Sequence, residues 1–295
     1  MPGKNISVVL ATFNGSKYIV KQIESILAQT IMPEEIIICD DCSTDETVNL
    51  LKPYLNNKRI KLFVNENRLG VFENFKKAAR LANNDNWLVF GDQDDIWLPQ
   101  KLSKLTRAMT ILDDETTPSL VYSDLAVIDK NDTIMFSSFW ERQKIKPEKI
   151  KLSTLLYGNV VTGCTMIINR PLANEFFLVD NSDYLHDEWL GLIAYSFGKA
   201  KILNESLVLY RQHETNVTFS EEYKTLGFVD GLKESFKYLL KKKKFLSHEF
   251  DIAKAFSSKY QGKLTEQQFK IISNFIKQES KNYILQRINR RIAYR

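Results

Sequence analysis

The sequence predicts an α/β fold: a mainly parallel sheet flanked by helices, followed by a helical C-terminal extension. Three observations carry this. Strand-like and helix-like segments alternate four times between Ile6 and Leu112, the pattern of a parallel sheet with helices on both faces. The strand segments are continuous apolar runs rich in β-branched residues, as strands covered on both faces require. From Glu221 onward the chain reads as helical, with polar and apolar residues interleaved.

Each element follows from its local pattern. Ile6–Ala11 (ISVVLA) reads as a buried strand, and Tyr18–Gln29 as a helix with Ile19, Ile23, Ile26 and Leu27 on one face. Glu35–Cys39 (EIIIC) is a second buried strand, Thr47–Leu55 a helix up to Pro53, and Ile60–Val64 a third strand. Val71–Leu81 is an amphipathic helix, Trp87–Phe90 a fourth strand, and Pro99–Leu112 a helix with proline in its first turn. After residue 118 the alternation loosens. Ser119–Tyr122 reads as a strand, and Ala126–Met135, broken by Asp129-Lys130-Asn131-Asp132, as a hairpin. Gly163–Asn169 reads as a strand, His186–Phe197 as a helix, and Ala200–Leu203 and Ser206–Tyr210 as two more strands. The expected division is a body of residues 1–220 and an extension of residues 221–295.

Composition narrows the class. With 44% hydrophobic and 26% charged residues and only 11 Gly and 7 Pro among 295, disorder and low complexity are excluded. No apolar run approaches the ~18 residues of a membrane-spanning helix, and residues 1–7 lack the apolar stretch of a secretory signal. Three cysteines do not make a disulfide framework and fit a reducing cytosol. The net charge of +5 conceals an asymmetry. Residues 1–220 hold 24 basic against 28 acidic residues, and residues 221–295 hold 17 against 8. Such a basic extension points to an anionic partner.

In a parallel sheet, ligands gather at the carboxyl ends of the strands, and the unusual residues fall there. The first strand ends in Thr12-Phe13-Asn14-Gly15, the second in Asp40-Asp41-Cys42-Ser43-Thr44-Asp45, the fourth in Gly91-Asp92-Gln93-Asp94-Asp95. Neighbouring acidic loops repel unless a cation or ligand donors lie between them. Hard carboxylates at the spacing of Asp92, Asp94 and Asp95 suit Mg²⁺ or Mn²⁺ carrying a diphosphate. The plainer reading makes Asp94 or Asp95 the cap of the helix near Pro99. Ser43 or Asp45 caps the helix that follows, leaving Asp41 to accept a hydrogen bond from a base or ribose. Cys39 and Cys42 form one C-x-x-C with no second pair, so no zinc site is expected. Asp187, opening a helix, is either its cap or a general base. After the last strand come Arg211, which could face phosphate, and His213, which could ligate metal.

These residues, in order, resemble family 2 glycosyltransferases of GT-A fold. Ser7–Gly15, Tyr18, Gln22–Thr30 and Ile38–Asp45 carry the first part of the likeness. Gly91–Leu102 is similar to the family's D-x-D region, and Gly163–Met166, His186–Trp189 and Tyr210–His213 with Asn216 follow. Cys42 stands where glycine is usual. The resemblance, covering residues 5–217, implies that Ala11, Thr12, Asn14, Asp41, Asp92, Gln93 and Arg211 line the nucleotide-sugar site, with Asp41 reading the base. It implies metal ligation by Asp94 and His213, with Mn²⁺ or Mg²⁺ as cofactor, and Asp187 as the base of an inverting transfer. Trp189, Gly163 and Thr165 would shape the acceptor side. Within the family, Asp-Gln-Asp-Asp-Ile-Trp with Tyr-Arg-Gln-His-x-x-Asn resembles bacterial surface-polysaccharide enzymes, notably rhamnosyltransferases. The implied partners are a dTDP- or UDP-linked sugar and a glycan or lipid-linked acceptor. The basic extension carries Lys241–Lys244 and an apolar series Ile284, Leu285, Ile288, Ile292 beside Arg287, Arg290 and Arg291. It reads as an anionic-membrane anchor on an otherwise cytoplasmic protein.

Rival readings are weaker. No G-x-x-x-x-G-K-[ST] is present, which excludes a P-loop NTPase. A metal-dependent phosphohydrolase would need further motifs, and a non-catalytic nucleotide-sugar-binding protein would not need Asp187. The acidic body argues against nucleic acid as partner.

Overall fold

The structure is a computed structural model describing residues 4–180, 184–213 and 246–294. The chain divides into two compact units: Met1–Gln143 with Asn159–Arg211, and Lys144–Gly158 with Gln212–Arg295. The sequence boundary at 220 lies outside the described residues.

In the first unit nine strands are described in one sheet, ordered β3-β2-β1-β4-β8-β6-β9-β5, with β7 paired to β6. These are β1 (Ile6–Thr12), β2 (Glu35–Asp40), β3 (Ile60–Val64), β4 (Trp87–Asp92), β5 (Ile96–Trp97), β6 (Ser119–Ile128), β7 (Ile134–Phe136), β8 (Met166–Ile168) and β9 (Lys199–Arg211). β3, β2, β1 and β4 are parallel, and β8 enters antiparallel between β4 and β6. The helices are α1 (Ile19–Leu27), α2 (Thr47–Leu51), α3 (Val71–Leu81), α4 (Lys101–Leu112), α5 (Phe139–Gln143), α7 (Arg170–Phe177) and α8 (His186–Phe197), with α6 (Leu152–Leu155) in the second unit. Val8, Leu10, Ile36, Ile38 and Val89 are fully buried and join Ile19, Ile23 and Ile26 of α1 in one core. That is why the apolar runs of β1, β2 and β4 need no polar alternation.

The expected hairpin forms between β6 and β7. Two local readings change. Gly163–Thr165 is a 3-10 turn ahead of a short β8, not strand. The two expected late strands are one strand, β9, whose pairing to β6 shifts register near Ser123–Ala126. The two-residue β5, and helices α5 and α7, were not expected. β5 is too short to show a period, yet its antiparallel bonds to β9 hold the end of that strand against the loop after β4.

The second unit contains α9 (Ser247–Lys259), α10 (Glu266–Ile276) and α11 (Tyr283–Tyr294), in keeping with the expected helical extension. It also draws in Lys144–Gly158, which the sequence division had left in the body. Within it, Tyr157 meets Phe275 edge-on, its hydroxyl donates to Gln278 Oε1 at 3.0 Å, and Tyr294 donates to the Gly158 carbonyl at 3.2 Å. No helix among the described residues is long and apolar enough to cross a membrane.

Candidate active site

Register brings three loops to one edge of the sheet. Ala11 pairs with Cys39 on one side and Asp92 on the other, and Thr12 pairs with Asp40. The chain therefore leaves β1, β2 and β4 at the same level.

The first two loops are stitched together. Thr12 Oγ1 donates to Asp40 Oδ1 at 2.8 Å, and Asp40 also accepts the amide and hydroxyl of Ser43. The Asn14 amide donates to Ser43 Oγ, and Asn14 Oδ1 accepts from the Thr44 amide. Gln93 clamps the Phe13 backbone, accepting from its N–H at 2.8 Å and donating to its carbonyl at 2.9 Å. A Cβ at Gly15 would lie 2.1 Å from Gln93 Oε1, so this clamp requires glycine there. Asp45, rather than Ser43, serves the start of α2, accepting from the Thr47 amide at 3.0 Å. Against partial desolvation, hydrogen bonds from Thr47 and Ser16 hold its carboxyl down at about 2. Cys42 has φ +64°, the left-handed conformation that glycine adopts at little cost.

Asp41 is not the open carboxylate expected. It is buried, accepts from Asn65 Nδ2 and the Leu69 amide through Oδ1, and from the Gly70 amide through Oδ2. Three of its four lone-pair positions hold the 65–70 loop in place, leaving one for a ligand.

The loop after β4 is the opposite case. Asp94 and Asp95 cap nothing, because α4 begins at Lys101 after Gln100. Asp95 Oδ1 accepts from the Arg211 amide at 3.2 Å, the Cys164 thiol also lies against its carboxyl, and its buried Oδ2 has no hydrogen-bond partner among the described residues. Ligand atoms of Asp92, Asp95 and Cys164 lie within 4.8 Å of one another. Desolvation and the charge of Asp94 push the Asp92 carboxyl up to about 7, and desolvation with both neighbouring aspartates pushes Asp95 well above the carboxylate range. A cluster of carboxylates that burial and mutual repulsion drive toward protonation, with one orphaned oxygen, fits a hard divalent cation.

Lys101 was not singled out from the sequence. It is fully buried, donates to the Cys164 carbonyl at 2.7 Å and lies 3.1 Å from the centroid of the Trp97 ring. Desolvation pulls its pKa well down, against the pull of Asp95 and Asp92. A lysine opening a helix, against the dipole and six residues past an aspartate triplet, is the sequence signal that could have found it.

Arg211, expected to face phosphate, is already held by protein groups. Its guanidinium is fully buried, donates from Nε to the Asp94 carbonyl at 2.8 Å, pairs with Asp132, and lies over the Tyr18 ring. It ties the β6–β7 hairpin and the end of β9 to the acidic loop.

Asp187 stands in the first turn of α8 but is not its cap. Glu188 reaches back to the Leu185 amide, while Asp187 Oδ2 accepts from Gly163 N at 2.8 Å and Oδ1 from the Glu188 amide. Desolvation first, then Glu188 and Asp92, raise its carboxyl to about 8. The Gly163–Thr165 turn is thus held by Asp187 at one end and Lys101 in its middle. A Cβ at Gly163 would lie 2.6 Å from His186 Nε2. His186 itself is packed among Phe75, Phe90 and Phe176, and burial drops it to about 3, so it is neutral. Thr165 and Trp189 are buried, Thr165 donating to the Thr162 carbonyl and Trp189 stacked on Tyr184. His213 belongs to the second unit.

Comparison with known proteins bears on the fold and the family. The structure resembles that of Staphylococcus aureus TarS 1-349 in complex with UDP-GlcNAc, with TM-score 0.56 and 17% identity over 98% of this chain and 89% of the other. The fold is therefore of GT-A type, a sheet framework built around a strand-end site. The family model for glycosyl transferase family 2 matches residues 7–177, and the chain belongs to that family; it is a glycosyltransferase. It is 27% identical to the dTDP-rhamnosyl transferase RfbG of Shigella flexneri, over 75% of this chain and 78% of the relative. It is 29% identical to the UDP-Glc:alpha-D-GlcNAc-diphosphoundecaprenol beta-1,3-glucosyltransferase WfgD of Escherichia coli, over 64% and 69%.

Proposed function

We propose that the chain is an inverting, metal-dependent glycosyltransferase moving a sugar from a dTDP- or UDP-linked donor to a hydroxyl of a glycan or lipid-linked acceptor, in bacterial surface-polysaccharide assembly at the cytoplasmic face of the membrane. The observation that carries this reading is the acidic cluster after β4, where ligand atoms of Asp92 and Asp95 lie within 4.8 Å of each other, together with the buried Asp187 that the Gly163 amide holds at 2.8 Å. Desolvation first, then Glu188 and Asp92, raise the Asp187 carboxyl to about 8, so that once ionised it is a stronger proton acceptor than an ordinary carboxylate.

The chemistry follows from the residues. An acceptor hydroxyl must lose its proton as its oxygen attacks the anomeric carbon, and Asp187 takes that proton. Attack from the face opposite the leaving group inverts the centre, as in inverting glycoside hydrolysis. Asp92, Asp94 and Asp95 would hold a Mn²⁺ or Mg²⁺ ion, with His213 added on resemblance alone. When bound, such an ion offsets the charge of the departing diphosphate. Thr12, Asn14 and Gln93 act mainly by fixing the loop walls of the donor pocket. Arg211 acts by holding the acidic loop, not by binding phosphate directly.

Rhamnosyl transfer is the preferred donor reading because RfbG is named for it, and glucosyl transfer is the second because WfgD is. A donor-hydrolysis screen across dTDP-rhamnose and UDP-hexoses, read by released diphosphate with and without Mn²⁺, tests this. Metal-dependent release from one of them is expected. Release from none, or release indifferent to chelator, would overturn it.

A further inference from the structure

The last helix has two different faces, and one of them carries its burial and most of its contacts among the described residues of its unit. In α11, Gln286 is buried and donates to the carbonyls of Gln278 and Lys281 at 3.2 and 3.0 Å, while Asn289 donates to Gln278 Oε1 at 2.7 Å. Arg290 stacks on Tyr294, which bonds to Gly158. Positions 286, 289, 290, 293 and 294 thus form the inward face, at helical spacing.

The opposite face is apolar and exposed. Ile284 is 55%, Leu285 43%, Ile288 45% and Ile292 67% exposed. At 100° per residue these four fall within one narrow stripe. Arg287 and Arg291, both exposed, flank that stripe, and exposed Lys281 precedes the helix. The segment 281–294 contains four basic residues and no acidic one. A helix with this moment, an apolar stripe and a basic flank suits the interface of a bilayer, where apolar side chains enter the acyl boundary and arginines meet headgroups.

We propose that the Ile284–Ile292 stripe of α11 is a docking surface for anionic lipid headgroups and the acyl boundary beneath them. The charge decides the occupant. A second copy of this helix would set Arg287 and Arg291 against arginines with no acidic residue on the helix to answer them, whereas an anionic surface answers both. The inference deepens the reading of a lipid-linked acceptor, because it holds the enzyme on the surface where such an acceptor resides.

Co-sedimentation of the full chain with vesicles tests it, using phosphatidylcholine alone and phosphatidylcholine with one-third phosphatidylglycerol. Binding to the anionic vesicles should exceed binding to neutral ones by about tenfold at low salt and fall as salt rises. Ile288→Ser with Ile292→Ser should remove most of that binding, and Arg287→Gln with Arg291→Gln should abolish the preference for anionic lipid. All four substituted positions are on the surface, and an unchanged thermal midpoint checks that each variant folds. Binding equal for both vesicle types, undiminished by Ile288→Ser with Ile292→Ser, or absent altogether would overturn the proposal. So would a dimer in sedimentation velocity that the same pair dissolves. Soluble-donor hydrolysis is read in parallel: intact hydrolysis without lipid binding sinks this inference alone, while lipid binding without hydrolysis sinks the catalytic reading alone.

Discussion

Two aspartate-rich loops lie at the same edge of one sheet and have opposite electrostatics. The loop after β2 is saturated with donors: Asp40 takes Thr12 and Ser43, Asp41 takes Asn65, Leu69 and Gly70, and Asp45 takes Thr47 and Ser16. The loop after β4 has fewer: one oxygen of Asp95 has no hydrogen-bond partner among the described residues, and Asp92 and Asp95 are both raised by desolvation and by neighbouring aspartates. The first loop spends its carboxylates on shape. The second leaves buried carboxylates short of donors, at the expense of stability, which is the arrangement a cation site would need.

The sharpest way to break that comparison is Asp187→Asn. Turnover should fall about 10²–10⁴-fold, the usual contribution of a general base, with calorimetric affinity for UDP or dTDP in Mn²⁺ unchanged. Near-normal kcat would show that another group takes the proton. Next comes Asp94→Ala against Asp41→Ala. The first should weaken metal-dependent nucleotide binding by at least about tenfold, the range seen when a metal site loses a supporting group. The second should instead lower stability by about 1–3 kcal/mol, because the Leu69 and Gly70 amides lose their acceptor. Denaturant midpoints and titration calorimetry on the same two proteins separate these outcomes. An Asp41 variant that loses only metal dependence would erase the distinction.

The pH dependence of stability offers a third test. Asp187 at about 8 and Asp92 at about 7 stand above the ordinary 3.8 they have when unfolded. Between pH 4 and 8 the native chain therefore keeps protons that the unfolded chain releases, so stability in chelator falls as pH rises through that window. Asp45 has the opposite sign, held at about 2, and adds stability above pH 4 that is lost as pH falls toward 2. Thermal melts from pH 4 to 8 in EDTA should decline, the raised aspartates outweighing His186, whose folded value of about 3 against 6.5 unfolded acts in the opposite sense below pH 6.5. Mn²⁺ should flatten the decline. A metal-free midpoint that rises across that range would contradict the assignment. The smallest effect is expected from Asp132→Asn, which weakens the hold on Arg211. Donor KM should rise a few-fold with kcat little changed, because the Asp94 carbonyl keeps its bond to Arg211 Nε.

The fold was largely legible because its signals are local. The runs ISVVLA and EIIIC announce buried strands by composition alone, and Val71–Leu81 and His186–Phe197 are helices of the expected span. What escaped is short or non-local. β5 has two residues and exists only because β9 pairs with it. Lys144–Gly158 joins the second unit through Tyr157 and Gly158 contacts with residues more than a hundred positions away.

The site divides in the same way. Sequence by itself singled out the residues proposed to carry chemistry, since carboxylates in D-x-D-D after a buried strand and an aspartate opening a helix are matters of residue type and spacing. Only tertiary structure decided which of them remain available. Asp41 and Arg211 looked like ligand-facing groups, yet each is held by partners distant in sequence: the 65–70 loop for one, Asp94, Asp129 and Asp132 for the other. Lys101 became part of the site only when folding buried its ammonium beneath the acidic loop. The physical reason is that a side chain's donors and its desolvation come from neighbours in space, and those neighbours are set by sheet register and loop contacts, not by the adjacent sequence.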